Sequence, residues 1–266
     1  MDPKWLKREE EERNARLERV LEGALPFDQV KPPPQTSRKP IGVIAESYNP
    51  ENPLDEVFPD VKSAKPLKGD LLDPTGELSY SKTLLPRGVG LEVTPAADLW
   101  SEGAKVYFTE DISIPVLRYA STRHQSGWDV WMSLTPNEIW SQRSGIQQAT
   151  GHVVIGGLGM GWLMRQIAKK PSVTKITVVE KDKRILNWFG KKICKNTPKV
   201  DKVICGDIYD VAGKFNFEKT KFILDIWPSS SGAEFDSRLK ELRGRGARVW
   251  AWGQPNDPKK RNPWAW

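Results

Sequence analysis

Cysteine and histidine are scarce in this chain of 266 residues, two of each: Cys194, Cys205, His124 and His152. Neither cysteine belongs to a Cys-x-x-Cys pair, so both read as buried, reduced thiols rather than a disulfide framework. So few thiols and imidazoles argue against a structural zinc site, and no metal is expected. Long apolar runs are also missing, which excludes a membrane-spanning helix on the sequence pattern. The N-terminal stretch MDPKWLKREEEERN is charged throughout and lacks the apolar core of a signal peptide, so the expected location is cytoplasmic. Apolar residues make up 38% of the chain and the mean hydropathy is −0.55. Part of the chain is therefore expected to lie outside a packed core.

Positive charge and tryptophan are in good supply. The net charge of +7 fits a nucleic acid or another polyanion as partner, through contacts to phosphate. Basic globular proteins without such ligands are also common, so charge alone does not decide. Twelve tryptophans are present, and Trp250, Trp252, Trp264 and Trp266 crowd the C-terminal end. Such rings either stack on bases or pack in the core.

The chain divides into four stretches. Residues 1–30 hold an amphipathic helix, with Leu17, Val20, Leu21 and Ala24 on one face. Its short apolar stripe must dock on this chain, on a partner, or as an arm of a homo-oligomer. Residues 31–87 read as a proline-rich linker, KPPPQTSRKP, followed by an irregular segment. Residues 88–135 read as a small β-rich domain, one antiparallel sheet of about four strands from Gly88 to Ser133. Residues 136–266 alternate helices and strands, starting with a helix from about Asn137 to Gln148 behind Pro136. That alternation predicts an α/β fold: a Rossmann-like, doubly wound parallel sheet in strand order 3-2-1-4-5. With only GQPNDPKKRNPWAW after the fifth strand, a closing C-terminal hairpin is expected to be absent.

The segment from His152 to Asp182, HVVIGGLGMGWLMRQIAKKPSVTKITVVEKD, carries most of the functional information. An apolar strand enters a glycine cluster, a helix follows, and a second apolar strand ends on Glu180. A phosphate-binding P-loop is excluded, because Trp162-Leu163 stands where Lys followed by Ser or Thr is needed. The dinucleotide spacing GxGxxG is also absent; the glycines stand at Gly157, Gly159 and Gly161, as GxGxG. This tighter spacing leaves no evident seat for a pyrophosphate and suits an adenosine with a small charged tail.

At these residues the chain resembles the class I S-adenosylmethionine-dependent methyltransferases and, most closely in local sequence, the spermidine synthases. The resemblance covers about residues 150–253. It implies S-adenosylmethionine as cofactor and a methyl acceptor that the sequence does not name. It also implies site roles: Gly157, Gly159 and Gly161 lining the methionine moiety, Glu180 accepting from the ribose hydroxyls, Asp207 meeting the adenine amino group, and Ile208 packing beside it. Each has a rival reading. Glu180 could be a charge at a strand end, and Asp207 could cap the helix after it.

The fourth strand ends Leu224-Asp225-Ile226-Trp227-Pro228, at the tip that lies beside the first strand in a doubly wound sheet. Asp225 is the candidate acceptor of a proton from a nucleophile and Trp227 the candidate aromatic wall; the rival role for Asp225 is to bond its own loop through Ser229 and Ser230. Methyltransferases acting on base amino groups carry (Asp/Asn)-Pro-Pro-aromatic here, and this chain departs from that pattern. It also departs from the spermidine synthases, whose glycine-loop acid and second acid after the fourth strand are missing. Three functions follow: a methyltransferase first, an aminopropyltransferase second, and a non-catalytic binding module third.

Overall fold

A computed structural model of the protein describes residues 10–15, 17–18, 25–26, 42–45, 48–64, 70–93, 104–123, 125–227 and 232–253. The proline-rich stretch 31–40, residues Val20, Leu21 and Ala24 of the N-terminal helix, Ser229 and Ser230, and the segment 254–266 that bears on the closing hairpin lie outside them. Among the described residues no helix is long and apolar enough to cross a membrane.

Among the described residues, fourteen strands can be numbered in chain order. The first nine are β1 (Leu25–Pro26), β2 (Gly42–Ala45), β3 (Ser63–Ala64), β4 (Leu71–Leu72), β5 (Leu78–Leu85), β6 (Gly90–Val93), β7 (Ala104–Phe108), β8 (Ile112–Ala120) and β9 (Trp128–Ser133). The last five are β10 (Gly151–Gly156), β11 (Val173–Glu180), β12 (Val200–Cys205), β13 (Thr220–Leu224) and β14 (Arg248–Ala251).

The C-terminal strands form one parallel sheet in the order β12-β11-β10-β13-β14. Counted from β10, this is 3-2-1-4-5, the order read from the sequence. Each central strand is a run of β-branched and aliphatic residues because helices cover both faces; Val153, Val154, Ile155, Val178, Val179, Phe222, Ile223 and Leu224 are all buried. The Pro136–Gln148 helix starts as expected, with Pro in the first turn and the Thr135 hydroxyl accepting from the Glu138 amide. It packs on β14 through Gly145, where an added Cβ would meet the Trp250 ring at 2.8 Å. Trp250 Nε1 donates to Ser144 and Trp252 Nε1 to Ser141. Both rings therefore dock this helix on the sheet.

The helix expected after Glu180 runs from Lys183 to Lys195, interrupted by a π-helical turn at Leu186–Gly190. The one expected over 234–243 is broken into Gly232–Phe235 and Ser237–Gly244. Asp236 causes the break by capping the second piece, accepting from the Arg238 and Leu239 amides.

The strands before Pro136 depart from the expectation. They form two sheets rather than one antiparallel sheet. β1, β2, β7 and β6 make the first, with parallel pairing up to β7 and antiparallel pairing between β7 and β6. β3, β5, β8 and β9 make the second, with β4 beside β5. The segment read as irregular thus contributes β5, which pairs with β8 along its full length. Its strand character is masked because both faces are buried and one is polar. Ser79, Ser81 and Thr83 line that face, and the buried Arg118 guanidinium donates to Ser81 at 2.6 Å, Thr83 at 3.1 Å and Asp70 at 3.2 Å. Apolar alternation cannot report such a strand.

Leu17 is buried and the Arg13 carbonyl lies against Gly88, so the described turn of the N-terminal helix packs on this chain. Cys194 is buried as expected, but Cys205 is exposed because it lies on the edge strand β12.

Candidate functional site

The carboxyl ends of β10, β11, β12 and β13 open into a cleft of about 1150 Å³. That is the place where doubly wound sheets bind ligands, and the volume exceeds that of a single nucleoside ligand. β9 and the first two turns of the Pro136–Gln148 helix form the opposite wall, through Met132, Glu138 and Gln142. Of the residues singled out in the sequence, Gly157, Gly159, Glu180, Asp207, Ile208, Asp225 and Trp227 line this cleft.

Gly161 does not line it. It begins the Trp162–Lys169 helix at φ 82°, and a Cβ there would lie 2.5 Å from Ile193 Cδ1. Close helix packing, rather than ligand approach, accounts for this glycine. Gly157 is different. At φ 85°, its missing Cβ leaves room for the Asp225 carbonyl, which an added carbon would meet at 2.1 Å. This glycine lets the fourth strand's tip close on the loop.

Glu180 is 6% exposed and organises the loop. Its Oε2 accepts from the Leu158 amide at 2.7 Å and its Oε1 from the Asp182 amide at 2.7 Å. The Lys181 amide also bears on this carboxylate, which has about four acceptor positions in all. Burial pushes the Glu180 carboxyl above its ordinary value, against the pull of these amides.

Asp207 takes up its capping role, accepting from the Tyr209 amide at 3.0 Å. Its other oxygen accepts from Lys181 at 3.1 Å and Arg238 at 3.2 Å. Partial burial works to raise this carboxyl, but the Tyr209 amide and the two cations outweigh it and hold it below the usual range. Ile208, buried beside it, packs toward Gly156.

Asp225 is not bonded into its loop by any described residue. Its Oδ2 accepts from Gln142 Nε2 at 2.8 Å, and the same amide donates to Glu138 Oε1 at 2.8 Å. Gln142 is 1% exposed, and its own Oε1 is buried with no donor among the described residues. Two partly buried carboxyls thus share one amide at the inner end of the cleft. Burial is the main force raising both, and the Asp225 charge raises Glu138 further. Such groups hold or release a proton near neutrality instead of standing as permanent charges. Glu138 and Gln142 were not singled out in the sequence as site residues. Their one signal was a Glu and a Gln four apart on the helix that precedes the glycine strand, a pattern that usually marks a solvated face.

Trp227 is fixed by its indole. Nε1 donates to Asp236 at 3.0 Å, and Asp236 also accepts from the Tyr209 hydroxyl at 2.9 Å. The ring therefore presents a set wall to the cleft, with Trp252 a further aromatic lining residue.

Parallel strand order 3-2-1-4-5, the glycine turn after the first strand and the acid at the tip of the second occur together here. The fold is Rossmann-like, a doubly wound parallel α/β sheet. No protein-family model matches the chain, and no curated protein matches it in sequence. Solved structures do align with it. A spermidine synthase in complex with the transition-state analogue AdoDATO is 14% identical, with a TM-score of 0.38 over 77% of this chain and 68% of that one. Spermidine synthase from Thermotoga maritima is 13% identical, with a TM-score of 0.35 over 65% of this chain and 58% of that one. A protein from Methanococcus maripaludis described as an S-adenosyl-L-methionine-dependent methyltransferase is 13% identical, with a TM-score of 0.31 over 44% of this chain and 56% of that one. The chain spans little more than half the length of the last two. Overlaps at this level assign no residue a role.

Proposed function

We propose that the protein binds S-adenosylmethionine in this cleft and transfers its methyl group to an amine. The observation that carries this reading is the partly buried Glu138–Gln142–Asp225 cluster beside the glycine loop. Glu180 would hold the ribose, using the acceptor positions that the loop amides leave. Asp207 and Ile208 would border the adenine. In the transfer itself, the amine nitrogen attacks the methyl carbon, the carbon–sulfur bond breaks, and its electron pair stays on sulfur as a neutral thioether. The nitrogen's surplus proton passes to Asp225 or Glu138. A carboxylate poised near neutrality suits that step better than one of ordinary acidity. The rest of the rate would come from holding donor and acceptor in line. The basic net charge favours an acceptor amino group carried on a polyanion such as nucleic acid.

Aminopropyl transfer is the second reading, favoured by the same acids, since a carboxyl-lined inner wall receives a cationic amine. One experiment serves both. The protein is incubated with labelled donor and with small amines, RNA or DNA, and the mass gain of the product separates methyl from aminopropyl. Donor that binds tightly while no acceptor is ever labelled would replace both readings with a non-catalytic module.

A further inference from the structure

Met132 stands on β9, outside the parallel sheet, yet its side chain lies on the glycine loop. Its Sδ accepts the Met160 amide at 2.9 Å, and a Cβ on Gly159 would lie 2.2 Å from the same sulfur. The thioether thus fills the space that the glycine at position 159 opens. Three neighbouring amides are also engaged, while that of Gly159 bonds no described residue. Gly157 donates to Val179, Leu158 to Glu180 and Gly161 to Leu158. A ligand carboxylate is held at such a turn by free backbone N–H groups, and here the Met160 amide is released only if Met132 withdraws. Beyond the loop, the inner wall carries Glu138 and Asp225. Those carboxyls repel another anion and receive a cation.

From this geometry we infer that Met132 occupies the tail end of the nucleoside seat and sets which donor-like ligands enter: it penalises an adenosine thioether bearing an amino-acid tail and leaves one without that tail unaffected. The inference rests on the adenosine-site reading above and goes further, because it assigns tail selectivity to a residue of the preceding β layer. Met132 needs no fold change to act, since an unbranched thioether side chain changes rotamer readily.

The test is a calorimetric titration of wild type, Met132→Ala, Met132→Val and Met132→Leu with two probes, S-adenosylhomocysteine and 5′-methylthioadenosine. The expected result is that shortening position 132 to Ala or Val tightens S-adenosylhomocysteine about tenfold, the scale of one hydrogen bond released and one contact removed. Affinity for 5′-methylthioadenosine should stay within about twofold in every variant. Met132→Leu keeps the bulk but cannot accept the Met160 amide, so it should tighten S-adenosylhomocysteine less than Ala or Val does. Two results would overturn the proposal: S-adenosylhomocysteine affinity unchanged or weakened by shortening, or both probes shifting together. No binding of either probe by any folded variant would instead remove the adenosine-site reading on which it rests.

Discussion

Gly157 and Asp225 are in such close contact that a single added carbon on the glycine would stand 2.1 Å from the aspartate's carbonyl oxygen. The loop that faces the cleft and the strand tip that carries the candidate base are therefore one packed unit. Gly157→Ala would place a side chain at φ 85° and force that contact apart. A loss of about 2–4 kcal/mol is expected from positive-φ strain plus overpacking. Denaturant melts should show it, with far smaller loss for alanine at Gly206, where nothing lies within 4 Å.

Glu180 serves the loop and, in the proposed function, the ribose. Glu180→Ala should weaken S-adenosylhomocysteine binding by about 1.5–3 kcal/mol, the value of charge-assisted hydrogen bonds lost. It should also lower the melting temperature of the ligand-free protein, because the Leu158 and Asp182 amides lose their acceptor. Calorimetry and thermal melts read the two effects separately. Affinity equal to wild type would dismiss Glu180 as the ribose ligand.

Asp225→Asn keeps the shape of the site and removes only proton acceptance. Turnover should be lost while S-adenosylhomocysteine affinity stays within about 1 kcal/mol of wild type. Glu138→Gln should retain part of the activity and shift the pH–rate profile, since it removes the neighbouring charge. Equal loss of binding and turnover in Asp225→Asn would recast Asp225 as a framework residue.

The same pair makes stability fall with rising pH. Folding raises Glu138 to about 8 and Asp225 to about 7, and the two titrate as a pair. The native state then binds more protons than the unfolded chain between the ordinary carboxylate range and those values. The pair's contribution to stability is full below that window and declines through it as pH increases. Melting temperatures of the ligand-free protein from pH 5 to pH 8.5 should show the decline, and Glu138→Gln with Asp225→Asn should flatten it.

The parallel sheet was legible because its strands are continuous apolar runs separated by helical periods, and because the glycine turn and Glu180 sit at fixed places in that pattern. The β layer was less legible. β5 buries a polar face around Arg118, and β2 and β7 pair across more than sixty positions, so neither shows in a local window. The site divides the same way. Gly157, Gly159, Glu180, Asp207, Ile208, Asp225 and Trp227 follow from strand tips. Met132, Glu138 and Gln142 reach the cleft only through tertiary packing, and the four-residue spacing of the last two points to a solvated face instead. Gly161 belonged to the glycine pattern but is taken up by helix packing against Ile193.

Gln142 and Asp225 meet across 83 positions of chain, and Met132 meets Met160 across 28. The cleft is thus a seam, closed only when the β layer and the parallel sheet have each formed and then come together. Contacts of such separation arrive late, after local helices and turns. A nucleoside seated in the seam would act as a rivet: it would add little to either layer alone and much to their union. Ligand should therefore sharpen the unfolding transition and slow exchange of amide hydrogens on both sides of the seam, in β9 as well as in the glycine turn.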